Sequence, residues 1–288
     1  MDQGLVYFER IGAPIKPAIS SLLFTARTPE IWVSELIMKI KIVLLLCSLA
    51  MSAFLATSVS AEDTRLFELR IYHAAPGKLD ELNARFRQHT TALFEKHGME
   101  NLGYWLPLDN KDNKLVYILA YPSKEAHDAS WKGFMADPDW QKAYKESEAN
   151  GKLVTKVDST FMKAADYSPA IKPSQAEPRV FELRTYTTHE GRLPNLNQRF
   201  RDHTIKLFEK HGMTNFGYWI PTDKPNTLIY LLAHKSQEAA KASFDAFHAD
   251  PDWDKARKAS EADAGGPLTI EGGVKSEFLK PTDYSPTK

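Results

Sequence analysis

The chain has 288 residues, room for two domains of ordinary size, and its 43% hydrophobic and 11% aromatic content is enough for a packed core. Lysine plus arginine equals aspartate plus glutamate, 37 against 37, which leaves no charge excess to draw it onto nucleic acid or an anionic membrane. The only cysteine, Cys47, lies in a segment that reads as cleaved, so disulfides, thiolate catalysis and cysteine metal sites are excluded from the mature chain.

Residues 38 to 61 have the layout of a signal peptide. Lys39 and Lys41 precede an apolar run from Ile42 to Ala56, which closes on the small residues Val59-Ser60-Ala61. The run is shorter than the roughly 20 residues needed to span a bilayer. Cleavage after Ala61 predicts an exported chain, periplasmic or extracellular, with no membrane span once mature. Residues 1 to 37 stand awkwardly before such a leader. They are read as a misassigned extension, with translation starting at Met38, or as a real, disordered one that starts at Met1.

From residue 62 the elements follow in order. Phe67, Leu69 and Ile71 alternate with Glu68, Arg70 and Tyr72, a strand with two distinct faces. Pro76-Gly77 predicts a turn, and Leu79, Leu82, Phe86, Leu93 and Phe94 recur at helical spacing until Gly98 stops the helix. Residues 101–107 read as a short strand and 114–121 as a strand buried on both faces. Ser123 is placed to cap a second helix, and Asp137-Pro138 to restart it, with aspartate as N-cap and proline in the first turn. Residues 152–163 supply a last strand.

The same order then repeats. Arg65–Pro107 aligns without a gap on Arg179–Pro221, and 27 of the 43 positions are identical. Both copies close on the same phrase, Asp166-Tyr167-Ser168-Pro169 and Asp283-Tyr284-Ser285-Pro286. The domains are therefore 62–169 and 179–288, joined by a proline-containing linker at 170–178. Strand, helix, strand, strand, helix, strand is the ferredoxin-like arrangement, an α+β unit with an uncovered sheet face. Two tandem units can cover each other, sheet to sheet, as an intramolecular dimeric α/β barrel.

Phe67-Glu68-Leu69-Arg70-Ile71-Tyr72, Pro76-Gly77, His97-Gly98 and Gly103-Tyr104-Trp105 together resemble the NIPSNAP domain, twice over. The second copy departs at the turn, where Glu190-Gly191 stands for Pro76-Gly77. The resemblance implies the dimeric α/β-barrel fold. It leaves the activity open, since relatives in that superfamily include cofactor-independent monooxygenases and haem-binding or haem-degrading proteins. Some eukaryotic family members are tied to mitochondria and vesicle traffic.

Leu82, Phe86, His89, Leu93 and His97 follow spacings of a helical stripe, so both histidines are expected to face the sheet, as are His203 and His211. His89 and His203 are the candidate proton carriers. His97 and His211 read first as helix-terminal residues that complement the dipole. Glu68, Arg70, Tyr72 and Arg85, with Trp105 as a wall, form a candidate polar pocket. Glu182, Arg184, Tyr186, Arg199 and Trp219 form its copy. The set suits a small acidic, enolic or aromatic molecule. Glu68 with Arg70 or Arg85 can also be a structural ion pair inside the barrel, and Trp140 and Trp253 read as core anchors. No pair of histidines is spaced for one metal ion, and no cofactor is predicted; haem stays open, since one axial histidine suffices. Three functions follow: a small-molecule-binding protein, a cofactor-independent monooxygenase or isomerase working through His89 and His203, and an interaction module without chemistry. Whether the internal pseudo-dimer pairs again with a second chain is left open.

Overall fold

The computed structural model describes residues 63–174 and 179–288. The leader at 38–61, the extension before it and linker residues 175–178 lie outside the described residues.

The first half runs β1 (Leu66–Ala74), α1, β2 (Glu100–Pro107), β3 (Lys114–Tyr121), α2 (Lys124–Ala136), α3 (Pro138–Ser147) and β4 (Val154–Ala164). The second half repeats it: β5 (Val180–Thr188), α4, β6 (Thr214–Pro221), β7 (Thr227–His234), α5 (Gln237–His248), α6 (Pro251–Asp263) and β8 (Thr269–Pro281). Helix α1 is continuous from Leu79–Arg85 through a π turn, Phe86–Thr90, into Thr91–Lys96. Helix α4 does the same through Leu193–Arg199, Phe200–Thr204 and Ile205–Lys210.

The caps are those the sequence predicts. Ser123 and Ser236 accept from the backbone N–H of Ala126 and Ala239, and Asp137 and Asp250 from that of Asp139 and Asp252, each followed by proline in the first turn. Gly98 and Gly212 end α1 and α4 at φ of 77° and 79°, where a β-carbon would be strained.

All eight strands join one closed antiparallel barrel in the order β1-β3-β2-β8-β5-β7-β6-β4. Each half contributes a four-stranded sheet, and the seams are short: Trp105 to Pro107 of β2 against β8, and Met162 to Ala164 of β4 against β6. Closure leaves no sheet edge for a further chain to extend.

Strand alternation sorts the side chains into a barrel interior and two helix-covered layers. Phe67, Leu69, Val116, Ile118, Ala120 and their copies fill the barrel, while Tyr104, Tyr117, Leu119 and Tyr121 pack under the first half's helices. Trp105 and Trp219 are fully buried inside the barrel, not at the helix-facing pocket expected of them. Trp105 packs on Phe181 at 5.5 Å and Trp219 on Phe67 at 5.9 Å, so each half's indole rests on the other half's first strand. Residues 103 and 217 must be glycine for this. A β-carbon at 103 would land within the Trp105 indole, and one at 217 would lie 2.6 Å from Cη2 of Trp219. Ile171, in the stretch read as a plain linker, is buried in the same core.

The closing phrases cross over. Tyr167, which follows β4, donates to Asn197 Oδ1 of α4 at 2.8 Å, and Arg201 holds Asp166 through both carboxylate oxygens. Tyr284, which follows β8, donates to Asn83 Oδ1 of α1 at 2.7 Å, and Arg87 holds Asp283 in the same fork. Ser168 and Ser285 accept from the backbone N–H of Tyr218 and Tyr104. Each half is thus latched by its own tail onto the other's first helix.

Candidate functional site

The helix-facing side of β1 carries Glu68, Arg70 and Tyr72 together, as alternation requires, and β5 carries Glu182, Arg184 and Tyr186. In the first half Glu68 is buried and ion-paired with Arg70. Tyr121 Oη donates to Glu68 Oε2 at 2.9 Å, and Ser159 Oγ to Oε1 at 2.6 Å. Trp131 Nε1 donates to Tyr121 Oη at 3.0 Å, and His127 Nε2 stands 3.5 Å from Glu68 Oε2. Arg70 Nε donates to Tyr117 Oη at 2.9 Å, and its guanidinium lies 4.4 Å from the centre of the Trp131 ring. Burial works against the Arg70 charge, but the Tyr117 and Tyr72 oxygens and the Glu68 carboxylate outweigh it and hold the guanidinium protonated. Burial first, and Glu68 beside it, push the Tyr121 phenol up, so it stays a donor. This ion pair lies between sheet and helices, not in the barrel.

Next to this network, between the sheet and α1, α2 and α3, is a cavity of about 350 Å3. Arg70 and Tyr72 reach it from the sheet, Arg85 and Thr90 from α1, and Trp131, Trp140 and Tyr144 from the other helices. Arg85 is buried, its guanidinium 5.3 Å from the Trp140 ring and 5.5 Å from Tyr144. Its Nη1 donates to Ser147 Oγ at 3.2 Å and stands 3.4 Å from Glu148 Oε1, and its Nε is buried with no acceptor. The rim is apolar: Met135, Tyr144 and Val157 are 56%, 44% and 42% exposed. Arg85 and Lys152 against Glu148, with Arg70 already matched by Glu68, leave the lining net positive.

The second half keeps the frame and changes the fittings. Arg184 is ion-paired with Glu182 and donates to Tyr230 Oη at 2.9 Å and Tyr186 Oη at 3.2 Å. Where the first half has Tyr121, the second has His234, with Nε2 3.2 Å from Glu182 Oε2 and Nδ1 buried without a partner. Burial alone would raise the Glu182 carboxyl; His234, Arg184 and Ser276 together hold it below the usual range. Phe244 replaces Trp131 under the arginine, at 4.6 Å. Arg199 lies over Trp253 and donates to the Ser260 hydroxyl at 3.3 Å, its one hydrogen-bond partner among the described residues, its Nε is unsatisfied, and burial pushes its guanidinium pKa down.

The first-helix histidines do not join these sites. His89 and His203 are exposed. The cause is the π turn: the N–H of Thr91 reaches the carbonyl of Phe86 and that of Ile205 the carbonyl of Phe200, five residues back. The wider turn rotates position 89 off the stripe and brings Thr90 inward, where it is buried and lines the cavity. His203 borders a small surface cleft of about 70 Å3 with Arg199 and Ser260. His97 and His211 bind the N-cap carboxylates, Nε2 to Asp137 at 2.6 Å and to Asp250 at 2.7 Å, tying the end of each first helix to the start of α3 and α6.

Sequence reasoning passed over Tyr117, Tyr121, His127 and Trp131. Residues 117 and 121 share one face of β3, and 127 and 131 are one helical turn apart on α2. Among the described residues, no group of three or more His, Cys, Asp or Glu is placed to hold a metal ion, and no helix is long and apolar enough to cross a membrane. No histidine is among the described residues that line the 350 Å3 cavity, so it offers a haem iron no imidazole.

The family model described as NIPSNAP matches residues 67–169 and 181–286. No curated protein matches the chain. A NIPSNAP family protein from Agrobacterium tumefaciens is 19% identical, with 37% of this chain aligned to 98% of that one and a TM-score of 0.34. A NIPSNAP-like domain protein from Burkholderia xenovorans is 21% identical over 40% of this chain and 97% of that one, TM-score 0.35. A candidate monooxygenase from Fusobacterium nucleatum is 11% identical over 76% of this chain and 92% of that one, TM-score 0.50, a likeness of fold.

Proposed function

The chain belongs to the NIPSNAP family in both of its halves, and from that premise we propose that it is a small-molecule-binding protein whose first half takes a planar organic anion. Each half is read as a ferredoxin-like unit, and the ligand lies between the first sheet and its helices. An aromatic carboxylate or enolate fits the lining: the ring between Trp131, Trp140 and Tyr144, and the oxygens toward Arg85. The observation that carries this is the Arg85 Nε–H, buried on the cavity wall without an acceptor, because a buried donor left unpaired costs free energy that a ligand oxygen would recover.

The experiment is calorimetric titration of the purified protein with 1-hydroxy-2-naphthoate. One molecule is expected per chain. Arg85→Gln should weaken binding at least tenfold, the equivalent of losing one charge-assisted hydrogen bond, and Arg199→Gln should leave it unchanged. Equal losses from both variants, or no heat of binding, would reject the assignment.

A second reading, oxygenation or isomerisation of the same molecule, is favoured by buried Glu68 and Tyr121 with half-buried His127 beside Arg70. Aerobic incubation and product analysis with His127→Ala separates it from binding alone. Export through the leader ending at Ala61 is proposed alongside, with N-terminal sequencing of the mature protein as its check.

A further inference from the structure

The open end of the barrel contains a second cavity, of about 770 Å3, and both halves build it. Its floor is aliphatic: Leu69 and Ile71 of β1, Leu183 of β5 and Ile229 of β7. Hydroxyls join it from Thr185, directly opposite Ile229, and from Thr227 one step further along β7. The mouth carries Lys114, Lys224, Lys275, Asp158 and Glu277.

These five charges are not equivalent. Lys114 Nζ pairs with Glu277 Oε1 at 2.9 Å. Asp158 is answered by His73 at 2.8 Å and by Lys156 at 2.9 Å. Lys224 meets only the Thr160 hydroxyl, at 3.4 Å, and Lys275 makes no ion pair among the described residues. Both carboxylates are therefore matched and two ammonium groups are not. The cavity is also separate from the one under the helices. Leu69 and Ile71 face the barrel, while Arg70 and Tyr72 face the other way, and among the described residues Val157 of β4 alone lines both.

We propose that the barrel mouth binds an amphipathic carboxylic acid, with its hydrocarbon tail on the aliphatic floor and its carboxylate at Lys275 and Lys224. A phosphorylated sugar or a nucleotide would set polar groups against four aliphatic side chains and lose their hydration without return. A neutral hydrocarbon would gain nothing from the unmatched ammonium groups. Only a molecule with one apolar end and one anionic end satisfies both layers.

The test uses the full chain and decanoate, below its micellar concentration, by titration calorimetry at pH 8. Acetate and decyltrimethylammonium serve as the tail-free and opposite-charge controls. One decanoate is expected per chain, with neither control binding. Lys224→Glu combined with Lys275→Glu should weaken decanoate at least tenfold. Both positions are exposed, so the fold is retained, which circular dichroism checks. Thr185→Phe, which fills the space above the floor without altering charge, should abolish binding. Rising salt should weaken the unmodified protein's affinity, since the head-group attraction is screened. Arg85→Gln should have no effect on decanoate, whatever it does to 1-hydroxy-2-naphthoate. Absence of decanoate binding, an unchanged affinity in the double lysine variant, or a loss that follows Arg85→Gln would overturn the proposal.

Discussion

Arg85 and Arg199 occupy the same place in the two halves, each over a tryptophan, Trp140 or Trp253, yet their electrostatic surroundings differ. In the first half Glu148 stands by Arg85. In the second, Tyr144 has become Arg257, which takes Glu261 at 2.8 Å and leaves Arg199 without an ion pair among the described residues. Nearby, Tyr121 has become His234, Trp131 has become Phe244, and Met135 at the rim has become His248, whose pKa is lowered by burial and by Arg184. The latches, caps and barrel tryptophans do not differ at all. The latch residues and the barrel tryptophans meet partners in the other half and are the same in both copies, whereas other barrel positions vary among apolar residues, as Leu102 against Phe216 and Ile118 against Leu231. Residues around each helix-covered site answer only to their own half, and there the copies have drifted apart.

The largest expected effect tests the shared part. Trp105→Ala and Trp219→Ala should each cost about 3–5 kcal/mol, the range for emptying a fully buried tryptophan site. The two losses should be nearly equal, and urea unfolding should remain one transition. Two separate transitions, or a loss confined to one variant, would mean that the halves do not share a core.

A smaller effect tests the divergent part. His234 leaves Nδ1 buried and unpaired, and Ala240 stands where the first half has His127. His234→Tyr should supply Glu182 with the phenol donor that Tyr121 gives Glu68 and raise stability by about 1 kcal/mol, the worth of removing one orphaned polar group while keeping the bond to Glu182. Chemical denaturation measures it, and a destabilised variant would show that the two networks cannot be exchanged.

The smallest effect concerns acid. Asp137 is held far below the usual carboxylate range by Lys96 and then His97, and Asp250 by Lys210 and then His211. Both folded pKa values are depressed relative to the unfolded chain. Their contribution is therefore present above about pH 4 and fades as pH falls through the depressed values. Asp137→Asn and Asp250→Asn should lower Tm at pH 7 and flatten the acid limb, by the same amount in the two halves. Thermal melts at pH 7 and pH 3 compare them.

Most of the fold could be read from local signals. Alternation placed β1, the Ser123 and Asp137 caps set the helix starts, and the repeat itself suggested that one sheet covers the other. The site was less legible. A stripe drawn at constant helical period put His89 inward, and no residue in Phe86–Thr90 announces the π turn that moves it out. Trp105 followed a strand's alternation correctly, but which face was the barrel interior depended on closure, a long-range event. Trp131 and Tyr121 come from different elements and meet only in three dimensions. Comparing the two copies position by position would have flagged 121 against 234 and 144 against 257, the substitutions that the packing of the shared barrel does not govern.

The crossed tails have a consequence for the protein's ancestry and engineering. A strand end that embraces its neighbour's helix, and not its own, is complementary to any copy of the same module. Severing the backbone between the repeats should therefore leave two fragments that stay associated. Either fragment expressed alone should find itself as a partner and close a symmetric homodimer, the arrangement from which a fused gene of this kind would have begun.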